Sequence, residues 1–370
     1  MKSILFLIHD LSHGGAEKVL VNLVNNMDPA KFDITVLAMF GGGVNEQFLK
    51  PHIRYRTIFR KPFRGNSHLM KLFSPKTLHR LFIKEHYDIE ISYLEGPCAR
   101  VISGCADPDT KLVSWIHIEQ KTAIRASISF RSINEAAECY NRFHLLVGVS
   151  QTVLNDFLSV FPITAPMTVL YNTNETLQIH DRSCEIIDER IFLPDEVNLI
   201  GIGKLMPKKG FDRLCRIVKR LHDERYSVHL YLLGVGSQRK MLEQYVIKEQ
   251  LTDVVTFLGY QTNPYKYLKN SDIFVCSSYS EGFSTAATEA LIVGTPVVTT
   301  LVSGMKEMLG ENNEYGIITD NDEDALYEGI RRLLDDPALL EHYKTKADER
   351  GKMFSTNAAV QAVEEMLENL

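Results

Sequence analysis

The sequence predicts an α/β protein with two doubly wound domains, each built on a parallel sheet that helices cover. The first observation is length, because 370 residues at roughly 100–200 residues per domain indicate two domains. The second is an alternation of strand-length apolar runs with segments of helical periodicity. The third is composition, since 45% hydrophobic and 24% charged residues exclude collagenous, low-complexity and disulfide-framework classes.

The first predicted domain covers residues 1–170. Residues 4–8 form an apolar run of strand length, the glycine pair at 14–15 interrupts it, and residues 19–24 carry apolar side chains at helical spacing. Residues 33–39 follow as a second buried strand. Because these strands are apolar on both faces, we expect a parallel sheet between two helical layers. Further strands are expected at 88–94, 111–117 and 145–150.

The second predicted domain covers residues 171–353. Residues 161–195 carry three prolines and several turn pairs, and we interpret them as the connection between the domains. The final segment, about 354–370, is amphipathic and can pack back on the first domain. Helices are expected at 211–224 and 283–293. The strands of this domain are expected at 197–203, 228–234, 254–258, 273–277, 296–300 and 316–319.

Charge, cysteine content and hydropathy restrict the function classes. A net charge of −6 argues against a protein that coats nucleic acid. The six cysteines include no Cys-x-x-Cys pair and have no close histidine in the sequence, which argues against a zinc site, and we interpret them as core residues in a reducing compartment. The N-terminal apolar run is shorter than a secretory signal, and no run approaches the roughly 20 apolar residues of a membrane-spanning helix. The sequence therefore predicts a cytoplasmic protein.

The loops after the predicted strands lack the glycine-rich motifs that usually bind phosphate groups. The dinucleotide fingerprint Gly-x-Gly-x-x-Gly fails after the first strand, at Gly201-Ile-Gly203 and at Gly234-Val-Gly236. A P-loop ending in Gly203-Lys204 fails because Asn198 stands where that motif requires glycine. These failures argue against a dehydrogenase and against a phosphate-cleaving NTPase.

The most informative stretch is 280–290, which follows an apolar strand and opens a helix. Glu281 is expected on the loop and Glu289 within the helix. A carboxylate accepts hydrogen bonds from a vicinal diol, so one glutamate can hold a ribose and the other a hexose. The backbone N–H groups around residues 283–285 can receive a diphosphate at the helix N-terminus. The plainer alternative is that Glu281 favours the helix start and Glu289 is solvent-exposed.

A second signal lies in residues 201–210, again between a strand and a helix. Lys204 and Lys209 stand five positions apart and are flanked by glycines. Two ammonium groups in such a loop can neutralise a departing diphosphate without a metal ion. The plainer alternative is that these lysines are solvent-exposed loop charges.

Taken together, these motifs resemble a known family. The set comprises the Gly-Gly loop after the first strand, Gly203-Lys204 with Lys209-Gly210, Leu258-Gly259-Tyr260, and two glutamates eight positions apart. In this order it is similar to the retaining GT-B glycosyltransferases of family four, the glycogen-synthase-like and WaaG-like group. The resemblance implies two Rossmann-like domains facing each other across a cleft. It also implies sugar transfer from a nucleoside diphosphate donor with retention of configuration, and neither a metal nor a cofactor.

Carried onto this sequence, the resemblance assigns roles in donor binding. Glu289 would bind the ribose, Glu281 the transferred sugar, and Lys204 with Lys209 the leaving diphosphate. Family members usually have arginine where Lys204 stands. The lysine replaces a guanidinium, which can form two parallel hydrogen bonds, with a single charged ammonium group. The remaining donor contacts would come from Gly203, Phe283, Ser284 and Thr285 around the sugar and diphosphate and from Gly259 and Tyr260 near the base.

From the first domain, the resemblance points to His117, which ends a predicted strand and would lie beside the reacting sugar. A histidine at a strand end is otherwise a structural residue. Gly14 and Gly15 would let an acceptor or phosphate approach the first helix, and a plain turn between strand and helix is the alternative. His13 and Asn172 are weaker candidates for the rim of the cleft.

Residues 50–86 are strongly basic, with ten Lys or Arg against the single acid Glu85. Aromatic and leucine side chains interleave with these charges. Such a segment is typical of a surface that binds an anionic membrane leaflet or a lipid diphosphate. Nucleic acid and a solvated basic face are the alternatives. The apolar members of the segment are Tyr55, Phe59, Phe63, Leu69, Leu72, Phe73, Leu81 and Phe82.

The sequence thus predicts a retaining hexosyltransferase that uses a nucleoside diphosphate sugar. UDP is favoured over GDP, because members of the family that it resembles usually use UDP-sugars. The expected acceptor is a glycan or lipid-linked glycan in cell-surface polysaccharide synthesis, at or near the inner face of the cell membrane. Two alternatives stay open. One is a nucleotide-sugar 2-epimerase of the same fold, and the other is a non-catalytic nucleotide-sugar-binding partner of a transferase.

Overall fold

The computed structural model describes residues 1–63, 70–187, 192 and 195–370. The chain divides into two compact units. The first contains residues 1–173 together with 356–370, and the second contains residues 174–355. Each unit has its own parallel sheet with helices on both faces, so the predicted fold class of two Rossmann-like α/β domains is confirmed.

The first unit is built on a sheet of seven parallel strands in the order β3-β2-β1-β4-β5-β6-β7. Its strands are β1 (Lys2–Ile8), β2 (Phe32–Phe40), β3 (Arg54–Phe59), β4 (Ile89–Ser92), β5 (Lys111–Ile116), β6 (Leu145–Gly148) and β7 (Met167–Val169). Its helices are α1 (Gly15–Asn26), α2 (Pro75–Phe82), α3 (Pro97–Ile102), α4 (Ala123–Ala126), α5 (Ile133–Tyr140), α6 (Gln151–Val160) and the C-terminal α15 (Thr356–Glu368).

The second unit is built on six parallel strands in the order β10-β9-β8-β11-β12-β13. Its strands are β8 (Val197–Ile202), β9 (Val228–Leu233), β10 (Val255–Gly259), β11 (Ile273–Cys276), β12 (Val297–Thr300) and β13 (Ile317–Thr319). Its helices are α7 (Thr176–Ser183), α8 (Phe211–Asp223), α9 (Arg239–Lys248), α10 (Tyr265–Lys269), α11 (Thr285–Ile292), α12 (Met305–Leu309), α13 (Glu323–Asp335) and α14 (Pro337–Gly351).

Burial explains why these segments form strands at the centre of each unit. β1 and β11 are apolar runs with nearly every side chain buried, as expected where helices cover both faces of a parallel sheet. The helices instead alternate buried and exposed side chains. In α8, Leu214, Ile217, Val218 and Leu221 are buried, whereas its last turn carries Arg220 and His222.

Two strands and one helix lie in stretches where the sequence analysis expected neither. β3 is an edge strand with exposed Arg54 and Arg56, so its polar sequence hides the strand pattern. β7 and α7 both lie within residues 161–195, which we interpreted as the connection between the domains. β7 has only three residues, too few to show a period. Within that stretch, residues 188–191 and 193–194 lie outside the described residues.

The C-terminal helix α15 belongs to the first unit and contacts α1. The Lys2 ammonium donates to the carbonyl of Leu367 at 2.8 Å, and Lys31 lies 2.9 Å from the Glu368 carboxylate. Among the residues that the structure describes, no helix combines the length and the apolar character needed to cross a bilayer. Five cysteines are buried as predicted, but Cys184 at the end of α7 is exposed and is not a core residue.

A buried arginine joins three segments of the first unit. The Arg100 side chain on α3 is fully buried and donates to the carbonyls of Met70 and Phe73 at 2.9 and 2.8 Å. Its Nε and Nη2 also donate to the Glu135 carboxylate on α5, at 3.1 and 3.0 Å. A buried guanidinium is tolerated only when its charge and its N–H groups have partners, and Glu135 supplies the counter-charge.

We expect Glu135→Ala to lower the free energy of unfolding of the first unit by about 3 kcal/mol, because it leaves the Arg100 charge buried and unpaired. Trp115, the only tryptophan, is buried in this unit, so urea unfolding followed by its fluorescence reports the change. Glu138→Ala on the exposed side of the same helix is the control and should shift stability by less than about 0.5 kcal/mol. Equal effects of the two substitutions would contradict the assigned role of the pair.

Candidate functional site

The candidate site of the second unit lies where the strand order reverses. β8 is the first strand of this sheet in sequence, and β9 lies on one side of it and β11 on the other. Ligands of such sheets bind beyond the carboxyl ends of the strands at this switch point. The loops that follow β8 and β11 carry the predicted lysines and Glu281, so the fold brings these residues to one edge of the sheet.

Lys209 and Glu281 form an ion pair in this site. The Lys209 ammonium lies 2.5 Å from Oε1 of Glu281, and the Ser278 hydroxyl donates to the same oxygen at 2.6 Å. Burial by itself would raise the pKa of Glu281, but the neighbouring Lys209 charge holds it below its usual range. The pKa of Lys209 is raised, because the attraction of Glu281 outweighs its burial. Both groups are therefore charged at neutral pH.

Backbone contacts join the two loops closely. Gly210 has a left-handed φ of 63°, and a Cβ on it would stand 2.0 Å from the carbonyl oxygen of Ser277. The Ser277 hydroxyl donates to the carbonyl of Lys209 at 3.0 Å, and the Tyr279 N–H donates to the carbonyl of Lys208 at 2.8 Å. Only glycine fits this approach, which holds the Lys209 side chain beside the loop of Glu281.

Arg213 supports the same loop and was missed by the sequence analysis. Its buried guanidinium donates to the carbonyls of Ser277 and Ser278, each at 2.7 Å, and to Oδ1 of Asn321 at 2.9 Å. It also lies over the Tyr279 ring, 4.0 Å from the ring centroid. A lysine or arginine in a predicted helix is usually interpreted as a surface charge, so the sequence contains no signal that Arg213 is buried beside this loop.

Helix α11 begins directly after this loop. The Ser284 side chain is its N-cap and accepts the N–H of Ala287 at 3.3 Å, while Thr285 is the first helical residue. The first N–H groups of a helix have no acceptor within the helix, so this end suits an anion. Glu289 lies further along α11 and is only 4% exposed. The alternative of a solvent-exposed Glu289 is therefore wrong.

The other predicted donor-side residues follow the carboxyl ends of neighbouring strands. The side chain of Lys209 lies over Gly203, with its Cε 3.5 Å from where a Cβ would stand. Lys204 follows directly and is half-buried. Gly259 ends β10 with a left-handed φ of 68°, and Tyr260 after it is 41% exposed. Phe283 is buried in the loop before α11.

In the first unit, His117 follows β5 and is buried against the Tyr93 ring, with 4.9 Å between ring centroids. Its backbone N–H donates to the Glu95 carboxylate at 3.0 Å. Its ring atom Nε2 is buried and has no hydrogen-bond partner within the described parts of the chain. Burial lowers the pKa of His117 to about 3, so the imidazole is neutral at physiological pH.

The loop after β1 carries the acceptor-side candidates His13, Gly14 and Gly15. Gly14 precedes the first residue of α1, and a Cβ there would stand 1.7 Å from Oε2 of Glu17. The Glu17 carboxylate thus already lies over this helix end, where a phosphate was expected to approach. His13 and Asn172, predicted at the rim, are both half-buried.

His9 and Asp10, at the end of β1, form a pair that the sequence analysis did not consider. His9 Nδ1 lies 2.7 Å from Oδ2 of Asp10, and the Ser12 N–H donates to Oδ1 at 2.8 Å. Burial would raise the pKa of Asp10, but these hydrogen bonds hold it well below its usual range. Asp10 is therefore a fixed negative charge at the carboxyl edge of the first sheet.

The basic segment 50–86 lies on β3, α2 and their connections, and its members Arg64 and Leu69 fall outside the described residues. Arg54 and Arg56 pair with Asp33 and Glu85, at 2.9 and 2.5 Å. Leu72 and Leu81 are 73% and 46% exposed, and Phe63 and Phe73 are each 39% exposed. The exposed cations include Lys50, Arg60, Lys61, Lys76, Arg80 and Lys84.

Two protein-family models match the chain. The model for glycosyl transferases group 1 matches residues 185–350, and the model for Glycosyltransferase Family 4 matches residues 13–174. Together they match almost all of both units. The chain belongs to the GT-B glycosyltransferases of the family-four type. The predicted family is thereby confirmed, and the glutamate and lysine motifs lie within the group 1 match.

Individual proteins agree with this family. One relative, from Campylobacter jejuni, is the N-acetylgalactosamine-N,N'-diacetylbacillosaminyl-diphospho-undecaprenol 4-alpha-N-acetylgalactosaminyltransferase. It is 30% identical to this chain over 218 residues, and the aligned region covers 58% of this chain and 57% of that protein. The Rhizobium meliloti lipopolysaccharide core biosynthesis glycosyltransferase LpsD is 32% identical over 155 residues, 42% and 44% of the two chains. The chain thus spans about half the length of these curated relatives. HepE of Anabaena in complex with UDP superposes over 100% of both chains with a TM-score of 0.78 at 21% identity.

The burial of His117 predicts how stability depends on pH in this GT-B protein. Its pKa is about 3 in the folded chain and about 6.5 when unfolded, so the unfolded chain binds more protons between these values. The contribution of neutral His117 is therefore complete above about pH 6.5 and is lost as the pH falls toward 3. We expect the stability gap between the protein and His117→Gln to shrink by a few kcal/mol between pH 7 and 4, measured by urea unfolding. A constant gap would contradict this pKa.

Proposed function

We propose that this GT-B protein is a retaining glycosyltransferase that moves a hexose from a UDP-sugar to a glycan or lipid-linked glycan during polysaccharide or lipopolysaccharide synthesis. The observation that carries the proposal is the Lys209–Glu281 pair at the switch point of the second sheet. It stands beside the N-terminus of α11, whose interior face carries the buried Glu289. Relatives named for lipid-linked glycan and lipopolysaccharide synthesis, and a UDP complex of a structural neighbour, support it.

In this proposal the donor lies across the carboxyl edge of the second sheet. The Glu289 carboxylate accepts hydrogen bonds from the ribose hydroxyls, and the backbone at Gly259 and Tyr260 borders the base. The backbone N–H groups around residues 283–285, at the start of α11, bind the diphosphate together with the helix dipole. The Ser284 hydroxyl can still donate a hydrogen bond to the diphosphate, because the N-cap hydrogen bond uses only its oxygen, as an acceptor.

The ion pair prepares the site for both parts of the donor. A lysine ammonium carries three N–H donors, and Glu281 takes one of them. The others can bind oxygens of the leaving diphosphate, and Lys204 adds a second positive charge beside Gly203. Glu281 has its second carboxylate oxygen for hydroxyl groups of the transferred sugar. The same contact therefore keeps the lysine charged and the carboxylate ionised before the donor arrives.

The proposed reaction is a front-face displacement. The bond between the anomeric carbon and the diphosphate oxygen breaks, and the acceptor oxygen bonds to that carbon from the same face. The leaving phosphate oxygen takes the acceptor proton, so the products are the glycoside with retained configuration and UDP. Charge develops on the leaving oxygens, so the lysines and helix N–H groups stabilise the transition state more than the ground state and no metal ion is required.

The proposed function is tested by incubating the protein with UDP-hexoses and glycan or lipid-linked glycan acceptors and determining the anomeric configuration of the product by NMR. An α-linked product from an α-linked donor supports it. An inverted linkage contradicts the retaining mechanism. Consumption of the donor alone, with epimer as product, would indicate a 2-epimerase, and donor binding without turnover across the acceptors would indicate a non-catalytic partner.

Lys209→Ala should lower kcat by about 10²–10³, the usual cost of removing one donor to developing negative charge. Lys208→Ala is the matched control, because Lys208 is the exposed neighbour in the same loop. Steady-state kinetics with saturating donor and acceptor measure the effect, and circular dichroism checks that the variant is folded. A kcat for Lys209→Ala within about twofold of the unsubstituted protein would refute the assignment of Lys209.

Glu289→Gln should weaken UDP binding by about 10- to 100-fold, because the ribose hydroxyls lose a charged acceptor worth roughly 1.5–3 kcal/mol. The internal control is 2′-deoxy-UDP. The unsubstituted protein should prefer UDP over this analogue, and the variant should lose most of that preference in calorimetric titrations. If the variant weakens both ligands equally, Glu289 has a structural role only.

We also propose that the basic segment 50–86 of the first unit binds an anionic membrane surface that carries the acceptor. Its exposed cations and exposed apolar side chains support this, since each basic residue near such a surface contributes about 1 kcal/mol. Replacing three of them should lower the fraction that floats with anionic vesicles by up to about 100-fold, and neutral vesicles should not bind. Vesicle binding that shows no preference for anionic lipid would contradict this proposal. The test variant replaces Lys76, Arg80 and Lys84 with Gln, and the control replaces the exposed Lys240, Lys248 and Lys352 of the second unit.

A further inference from the structure

Three side chains of different chemistry meet inside the first unit, away from the loops of the candidate site. His79 comes from α2, Glu90 from β4 and Cys105 from the turn after α3. One ligand atom from each, an imidazole nitrogen, a carboxylate oxygen and the thiol sulfur, lie within 4.8 Å of one another. The His79 Nε2 and Glu90 Oε2 atoms are 2.8 Å apart. The fold thus assembles a set that sequence spacing gave no reason to expect.

Glu90 stands at an unusual place for a charge. β4 lies between β1 and β5, and Glu90 is in register with Leu5 and Leu112 on these strands. Its side chain is only 2% exposed. A carboxylate between apolar strands costs several kcal/mol unless a cation compensates it. His79 is its one hydrogen-bond partner within the described segments, so the carboxylate has capacity for another ligand.

We propose that His79, Glu90 and Cys105 form a binding site for a divalent zinc-type cation. Thiolate, imidazole and carboxylate are the three side-chain ligands that zinc takes. A tetrahedral site needs distances of about 3.3–3.6 Å between ligand atoms, so the His79–Glu90 pair would open slightly around the ion. Cys105 is 3% exposed, whereas His79 is 15% exposed, so a water as the fourth ligand would come from the His79 side.

A simple ion pair explains His79 and Glu90, and in it the Cys105 thiol does no more than hydrogen-bond to His79. A metal ion uses all three groups and ties α2 to the centre of the sheet. α2 carries the exposed Lys76 and Arg80 of the basic segment, so metal binding would hold that part of the surface in place. This inference is independent of the transfer reaction, because none of its ligands belongs to the candidate active site.

Cobalt(II) serves as the spectroscopic probe of the full chain. After treatment with a chelator, one equivalent of Co²⁺ should give a sulfur-to-cobalt charge-transfer band in the near ultraviolet. Cys105→Ser should abolish the band, and His79→Gln should weaken Co²⁺ binding at least about 100-fold, more than the loss of a residue that only hydrogen-bonds to a metal ligand usually does. Cys184→Ser is the matched control, because it removes the exposed thiol, and it should leave the band unchanged.

Zinc X-ray absorption on the unsubstituted protein makes the test independent of how the variants fold. We expect one sulfur at about 2.3 Å and nitrogen or oxygen ligands at about 2.0–2.2 Å, in one equivalent of bound zinc. A spectrum without a sulfur ligand, or a cobalt band that survives Cys105→Ser, would overturn the proposal and leave His79 and Glu90 as a buried ion pair only.

Discussion

The ion pair between Lys209 and Glu281 is the interaction on which the candidate site depends. It joins the loops after β8 and β11, which are neighbouring strands only because the sheet reverses its order there. Removing either partner would leave a buried charge without compensation, so the two loops are held in one arrangement by electrostatics as well as by backbone hydrogen bonds. Gly210 and Arg213 act on the same contact, the first by allowing the loops to approach and the second by binding the carbonyl groups of one of them.

Buried polar groups with fixed partners recur across both units. Arg100 with Glu135 and Lys209 with Glu281 each place a charge in a poorly hydrated environment and neutralise it locally. His117 is different, because burial keeps it neutral and its Nε2 is left without a partner within the described chain. A charge that is already compensated needs little reorganisation when a ligand arrives, and an unsatisfied nitrogen favours a ligand that can complete it.

Most strands could be predicted because they are buried on both faces, and continuous apolar runs are a strong signal. β3 escaped prediction because an edge strand exposes one side of its backbone and tolerates Arg54 and Arg56. The general region of the site could be predicted because glycines, lysines and glutamates stand at strand ends. The pairing of these residues could not be predicted. Lys209 and Glu281 are far apart in sequence, and neither segment contains a signal that indicates the other as its partner. The sequence likewise indicated no metal ligands around Cys105, because His79 and Glu90 reach it only through the sheet and α2.

The sequence by itself determined the fold class, the family and the residue types available for donor binding, because these follow from local periodicity and short motifs. Tertiary structure alone decided which of these residues touch, which are charged and which are buried. The Lys209–Glu281 pair arises because parallel strands bring two distant loops of the second unit to the same edge of its sheet, and the burial of Glu289 and of the neutral His117 arises from packing within each unit. The reason is physical: pKa values and ion pairing depend on distance and on local dielectric, and neither quantity is encoded in the spacing of residues along the chain.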